Sequence, residues 1–228
     1  MAHQNFIIAI DGFSSCGKST VAKALAKNLN FVFVDSGAMY RAVTVYFLRH
    51  EIDLTNNEQV ETALANIHID FVPNTEKTQI LLNGEDVSDE IRQMYISDNV
   101  SEVSAIKAVR TAMVAQQQQL GKVKNIVMDG RDIGTTVFPD ADLKIFMTAS
   151  PEVRATRRYA ELTANGDRVS IEDVKANLAH RDHIDSTREE SPLRQAEDAI
   201  VLDNSELCQE EQLAFVLAKV HEKQNNLI

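Results

Sequence analysis

Five short runs of almost unbroken apolar residues recur along the chain, at positions 6–10, 31–34, 126–128, 143–147 and 199–202. Runs of this length without polar alternation predict parallel strands buried on both faces. Between most of them the apolar spacing becomes helical. Segment 18–29 carries Val21, Leu25 and Leu29 at i, i+4 and i+8, and 210–222 repeats Leu213, Val216, Leu217 and Val220. Segment 151–164 opens on Pro151, which suits a first helical turn. Strands alternating with helices predict an α/β fold with a doubly wound, mainly five-stranded parallel sheet.

Two stretches break this alternation. Between 35 and 125, helical patterns at 37–49, 58–67 and 105–120 accompany a candidate hairpin, 68–72 with 79–82, joined by a polar turn at 73–78. A hairpin cannot be a parallel core strand, so an inserted α+β subdomain is expected. From 164 to 193 the chain is polar, with few core positions and many charges, which predicts a mobile cover. The glutamines at 116–119 read as a solvated helix face.

A length of 228 residues suits one generous α/β domain, 1–228, better than two independent ones. No window approaches the apolar run that a membrane span requires. Residues 1–5 lead straight into a strand, without the basic and apolar regions of an export signal. Two cysteines, Cys16 and Cys208, are too few for a disulfide framework, so a cytoplasmic protein is expected. The net charge of −11 argues against nonspecific nucleic-acid binding, which depends on Lys and Arg neutralising phosphates. A phosphate-bearing ligand therefore needs locally concentrated positive charge. Arg154, Arg157, Arg158, Arg168, Arg181, Arg188 and Arg194 all fall between positions 150 and 195.

Gly12-Phe13-Ser14-Ser15-Cys16-Gly17-Lys18-Ser19 satisfies the pattern G-x-x-x-x-G-K-[ST], between an apolar strand and an amphipathic helix. Consecutive backbone N–H groups and a helix N-terminus make such a turn a concave anion site, and its glycines let the backbone approach phosphate oxygens. In this P-loop, Lys18 is expected to reach the β- and γ-phosphates of ATP and Ser19 to ligate Mg²⁺, with residues from Gly12 through Thr20 lining the nucleotide. A guanine-reading Asn-Lys-x-Asp segment is absent, which excludes an ordinary GTPase.

Four further groups carry chemistry. Asp35-Ser36-Gly37-Ala38-Met39-Tyr40-Arg41 follows the second core strand, where ligand crevices of open α/β sheets lie. There Ser36 either caps a helix or binds a ligand, and Arg41 offers a planar fork for an acceptor phosphate. Asp129-Gly130-Arg131-Asp132 also stands at a strand's carboxyl end, as a bare turn or as a carboxylate behind the Mg²⁺ ligands (Asp129), a phosphate clamp (Arg131) and an acceptor for a base amino group (Asp132). Arg181-Asp182-His183-Ile184-Asp185-Ser186-Thr187-Arg188 is either a solvated helix or a source of arginines that neutralise a transferring phosphoryl group. Ser101 and Arg110, taken alone, read as surface residues.

In this order the motifs resemble the nucleoside monophosphate kinases, and within them the bacterial cytidylate kinase family. The resemblance also rests on Gly84-Glu85-Asp86-Val87-Ser88 with Ile91-Arg92, on Ile133-Gly134-Thr135 and Val137-Phe138-Pro139-Asp140-Ala141, and on Ser191-Pro192-Leu193. It implies a core, an acceptor-binding insert at 36–124 and a short helical lid at 152–192. It further implies ATP and CMP or dCMP as substrates. By that resemblance Ser36, Arg41 and Arg131 handle the acceptor phosphate or its surroundings, and Ser101, Arg110, Asp132 and Arg188 read cytosine. Arg181 and Asp185 would contact phosphate and sugar, while Arg157 and Arg158 resemble lid arginines that approach ATP.

The common Gly-Pro-Ser-Gly-x-Gly-Lys pattern of the family is altered at Phe13 and Ser15, and Cys16 sits beside a helix N-terminus that can activate a thiol or merely accommodate a small residue. Alternative acceptors are UMP, dTMP or a coenzyme precursor, and a nucleotide-binding module without turnover is the alternative from another class. A monomer is expected.

Overall fold

The computed structural model describes residues 5–72, 79–122, 125–164 and 166–225. In chain order the elements are β1 (Ile7–Gly12), α1 (Lys18–Leu29), β2 (Val32–Asp35), α2 (Ser36–Arg49), α3 (Asn57–Ala65), β3 (Ile69–Val72), β4 (Gln79–Leu82) and β5 (Glu85–Asp86). A 3₁₀ turn (Glu90–Arg92), α4 (Met94–Ala105), α5 (Lys107–Gly121), β6 (Ile126–Gly130), a π-helical turn (Ile133–Val137), β7 (Leu143–Thr148), α6 (Pro151–Ala164), α7 (Ile171–Thr187), β8 (Ile200–Asp203) and α8 (Gln209–Asn225) complete the chain.

Two compact units form: one from the chain up to Asp35 together with Gln117 onward, the other from Ser36–Gln116. The first contains a five-stranded sheet in the order β2-β6-β1-β7-β8, and every neighbouring pair is parallel. Sequence-distant strands therefore flank β1, as a doubly wound topology requires. Ile8, Ile10, Val127, Ile145 and Met147 share a core with Val21 and Leu25 of α1 and Val216 and Val220 of α8. Burying these side chains supplies the main driving force for this layer. The register Asp11↔Gly130 and Gly12↔Met147 brings the carboxyl ends of β1, β6 and β7 level, so the loops that follow them emerge along one edge.

The second unit combines an antiparallel three-stranded sheet, β3-β4-β5, with α2, α3 and α4 around its own core, including Met39, Val43, Phe47, Ile80, Leu82, Ile91, Ile96 and Val103. β3 and β4 pair antiparallel with Ile69 opposite Leu82, as a hairpin demands. The expected turn at 73–78 lies outside the described residues.

Two expectations need correction. The helix expected at 105–120 is α5, but a further helix, α4, precedes it and ends where Ile106 leaves the helical region (φ −67°, ψ 124°). α4 escaped the pattern because only Ile96, Val100 and Val103 mark its apolar side, among serines, Asp98 and Asn99 that favour turns. The polar segment expected to hold few core residues contains the 17-residue helix α7. A Ser170–Asp173 capping box starts it, and Val174 and Leu178 bury its apolar side.

Candidate active site

The phosphate cradle begins where β1 ends. Gly12 lies at φ 149°, and a Cβ there would stand 2.0 Å from the Met147 carbonyl oxygen, so only glycine fits beside β7. Gly17, at φ 86°, turns the chain into α1. Ser15 adopts φ 58°, a left-handed conformation that glycine enters without steric cost. The departure from the family pattern thus falls on a strained residue.

Lys18 is buried, and its Nζ donates to the Phe13 carbonyl at 2.6 Å. Burial, then the nearby Arg131 cation, push its pKa down, opposed by Cys16, Asp129 and Asp11. Cys16 is fully buried, with Sγ 3.0 Å from the same carbonyl. This placement favours the small-residue reading of Cys16 over an exposed reactive thiol. Ser19 Oγ donates to Asp129 Oδ2 at 2.6 Å, pairing a P-loop hydroxyl with a buried carboxylate at the end of β6.

A chain of charged groups links this cradle to the C-terminal end of α7. Arg131 Nη2 donates to Ser14 Oγ at 2.8 Å, and its Nε donates to Asp185 Oδ2 at 2.8 Å. Asp185 Oδ1 accepts from Arg188 Nη1 at 3.2 Å, and Arg188 Nη2 stands 3.8 Å from Asp132 Oδ1. Asp132, Asp185 and Arg188 are all buried. Burial raises the Asp185 pKa, but Arg131 and Arg188 outweigh it and hold the carboxyl below its usual range. Burial also opposes the Arg131 cation, and Asp185 more than restores it. Buried charges persist only when paired and hydrogen-bonded in this way.

The remaining arginines occupy different settings. Arg181 lies partly buried on α7. Arg158 pairs with Glu161 at 2.8 Å on the same helix. Arg157 donates through Nη1 and Nη2 to the side-chain and backbone oxygens of Asn204, both at 3.0 Å.

In the second unit, Ser36 opens α2 and is buried, while Arg41 lies partly buried further along the same helix. Ser101 and Arg110 are not the surface residues that their isolated positions suggested; both are 3% exposed. Arg110 Nη1 donates to the Ser104 carbonyl at 3.2 Å, and its guanidinium lies 5.2 Å from the centre of the Tyr40 ring. Ser104 Oγ donates to the Ser101 carbonyl at 3.0 Å, so these residues form one polar cluster.

Sequence reasoning missed Asp11 and Asn204, and gave Arg154 no role beyond membership in the arginine cluster. Asp11 accepts the Ile133 and Gly134 backbone N–H groups, one on each oxygen, both at 2.7 Å. A lone acid ending the run Ile-Ile-Ala-Ile was its signal. Arg154 pairs with Asp182, whose other oxygen accepts from the Ser14 N–H at 3.3 Å. Its guanidinium lies 5.3 Å from the Phe13 ring centre. The i, i+3, i+4 relation to Arg157 and Arg158 marked its face. Asn204, fully buried after β8, donates to the Cys16 carbonyl at 2.6 Å.

The cytidylate kinase family model matches residues 8–222. The chain belongs to the cytidylate kinase family. A cytidylate kinase of Bacteroides fragilis is 54% identical over 217 residues, covering 93% of this chain and 95% of that one. One from Bacteroides thetaiotaomicron is 56% identical over 210 residues, covering 90% and 92%. A crystal structure of an uncharacterized protein from Eubacterium ventriosum superposes with a TM-score of 0.55 at 11% identity, over 96% of this chain and 99% of that one, a likeness of fold alone. Membership in this family gives the phosphate cradle its context, a nucleotide kinase.

Proposed function

We propose that this cytidylate kinase family member transfers the γ-phosphoryl group of ATP to CMP or dCMP, giving ADP and CDP or dCDP. The observation that carries the reading is membership in the family across nearly the whole chain, at 54% identity to a curated cytidylate kinase.

An acceptor phosphate oxygen is already anionic, so in-line transfer needs no protein nucleophile or strong general base. Catalysis then rests on positioning and on charge stabilisation in a site closed to water. Residues from Gly12 through Thr20 bind ATP, and Lys18 exchanges the Phe13 carbonyl for phosphate oxygens. Arg131, Arg157, Arg158 and Arg181 carry positive charge to the transferring group. Ser36, Arg41 and Arg131 handle the acceptor phosphate or its surroundings. Cytosine presents an amino donor beside ring acceptors. Asp132 accepts from that amino group, and Ser101, Arg110 and Arg188 supply donors, while Arg181 and Asp185 contact phosphate and sugar. The segments 36–124 and 152–192 act as acceptor-binding insert and lid.

The Ser19–Asp129 oxygen pair suits a hard divalent cation, since Mg²⁺ is usually held by one or two protein oxygens plus substrate phosphates. Ser19 would ligate Mg²⁺, with Asp129 behind it. Held there, the ion would supply positive charge against the phosphates of ATP.

Among the described residues no helix is long and apolar enough to cross a membrane. We place the enzyme in the cytoplasm, acting as a monomer without nucleic-acid partners. The free thiols of Cys16 and Cys208 suit a reducing compartment.

A coupled ADP-release assay across the nucleoside monophosphates with Mg-ATP tests the reading. CMP or dCMP is expected to give the highest kcat/KM. A higher value for UMP or dTMP would reassign the acceptor, and no ADP release with any acceptor would reject the activity.

A further inference from the structure

Asp132 is the N-cap of the π-helical turn Ile133–Val137, a position where Asp normally turns its carboxylate back onto the second or third backbone N–H. Here it makes no such capping bond. The second of those N–H groups, Gly134, donates instead to Asp11 Oδ2, and the first, Ile133, donates to Asp11 Oδ1, both at 2.7 Å. The carboxylate that caps this turn therefore comes from another strand.

Covalent register makes the arrangement possible. Asp11 pairs with Gly130 across the β1–β6 ladder, so its side chain leaves β1 two residues before Asp132 along the neighbouring strand. Asp11 is 5% exposed, a costly setting for an acidic group unless each oxygen is hydrogen-bonded. The first donors of any helical turn lack partners inside that turn, and leaving them buried and unpaired is similarly costly. Two unfavourable terms are thus removed by one contact. The Asp132 side chain is left out of local capping and directed toward Arg188, at 3.8 Å.

We infer that Asp11 is a positioning residue for acceptor recognition: it caps the turn in place of Asp132, so that the Asp132 carboxylate is presented to the acceptor base. This inference rests on the proposed role of Asp132 in reading cytosine. Without Asp11, Asp132 would collapse onto the Gly134 N–H in the ordinary Asp N-cap conformation, and base recognition would weaken while the phosphate cradle stayed intact.

Two variants approach the contact from opposite sides. Asp11→Asn retains the side-chain size but replaces one accepting oxygen with a donor. Gly134→Ala leaves Asp11 unaltered and adds a Cβ that meets Asp11 Oδ2 at 3.3 Å and the Lys144 side chain at 3.1 Å. It also leaves intact the weak electrostatic influence of Asp11 on Lys18. Titration calorimetry of each folded variant with CMP alone and with ATP alone is the test, alongside wild type. The CMP Kd is expected to rise tenfold or more in Asp11→Asn and about threefold in Gly134→Ala, with the ATP Kd within twofold of wild type in both. The CMP-over-UMP preference should fall in parallel. Equal loss of both ligands, or unchanged CMP binding in the folded variants, would overturn the positioning role. Wild-type protein that binds ATP but not CMP would instead refute the acceptor reading. Amide exchange at Ile133 and Gly134 would then decide the cap itself: accelerated exchange in Asp11→Asn supports it, and unchanged exchange removes it.

Discussion

Arg131 donates its Nε to Asp185 at 2.8 Å and so joins the turn after β6 to the C-terminal half of α7. The same guanidinium holds Ser14 Oγ, which places one cation against both the cradle and α7. Removing one member of a buried pair leaves the other charge uncompensated, at a cost of roughly 3–5 kcal/mol. Asp185→Asn keeps hydrogen-bonding capacity, so a loss of about 2 kcal/mol is expected, with a lower CMP kcat/KM. Adding Arg131→Met should recover stability but none of the turnover. Denaturant unfolding beside steady-state kinetics would separate these effects, and recovered turnover in the double variant would contradict the assignment of Arg131 to catalysis.

Asp132 supplies a sharper test of substrate reading. A hydrogen bond involving a charged partner contributes about 1.5–3 kcal/mol, or roughly 10- to 150-fold in kcat/KM. Asp132→Ala is expected to lower CMP kcat/KM within that range while leaving the ATP KM within about threefold. Kinetics with each substrate varied in turn would check this. Unchanged CMP kinetics would exclude Asp132 as the base reader.

The parallel strands were legible in the sequence because burial on both faces leaves an unbroken apolar run, and the cradle because its geometry restricts Gly12, Gly17 and Lys18 so closely. Helices α1 and α6 have the bounds that their apolar spacing and Pro151 mark. Local pattern could not reveal α4, whose polar residues weaken its periodicity, or the buried setting of Arg110. Nor does it identify contacts set by parallel register. Asp11 bonds residues 122 and 123 positions away, and Asn204 bonds Cys16 across 188 positions. Such partners follow only once strand order is known.

Burial of Asp11 gives the fold a pH dependence of definite sign. Desolvation pushes its pKa from 3.8 to about 6; the Gly134 and Ile133 N–H groups oppose the rise, Asp132 adds to it and Lys18 opposes it. The folded carboxyl therefore retains its proton to higher pH than the unfolded one. Its contribution is fully present below about pH 4 and is lost as pH rises through about 6, a change on the order of 2–3 kcal/mol. Urea unfolding from pH 7 to pH 4 should show wild type gaining stability relative to Asp11→Asn. A difference that stays flat across this window would show that Asp11 is not the titrating group.

Asn204 ties together elements that no single helix or strand could align. Its Nδ2 donates to the Cys16 carbonyl at 2.6 Å and to Gln212 Oε1 at 2.8 Å, its Oδ1 accepts from Arg157, and its backbone N–H donates to the Thr148 carbonyl at 2.9 Å. Asn204→Ala would leave Cys16 and Gln212 oxygens and an Arg157 donor without this partner, for an expected loss of about 2–3 kcal/mol. Because the contacts converge on the cradle and Arg157, the ATP KM should rise more than the CMP KM. Asn204→Asp discriminates further. It strengthens the pairing with Arg157 but turns an acceptor toward two oxygens that now receive N–H bonds. If the donors to Cys16 and Gln212 dominate, Asp will be less stable than Ala at this position; if the Arg157 contact dominates, the order will reverse. Thermal unfolding of the two variants decides which contact holds the turn after β8 to the cradle.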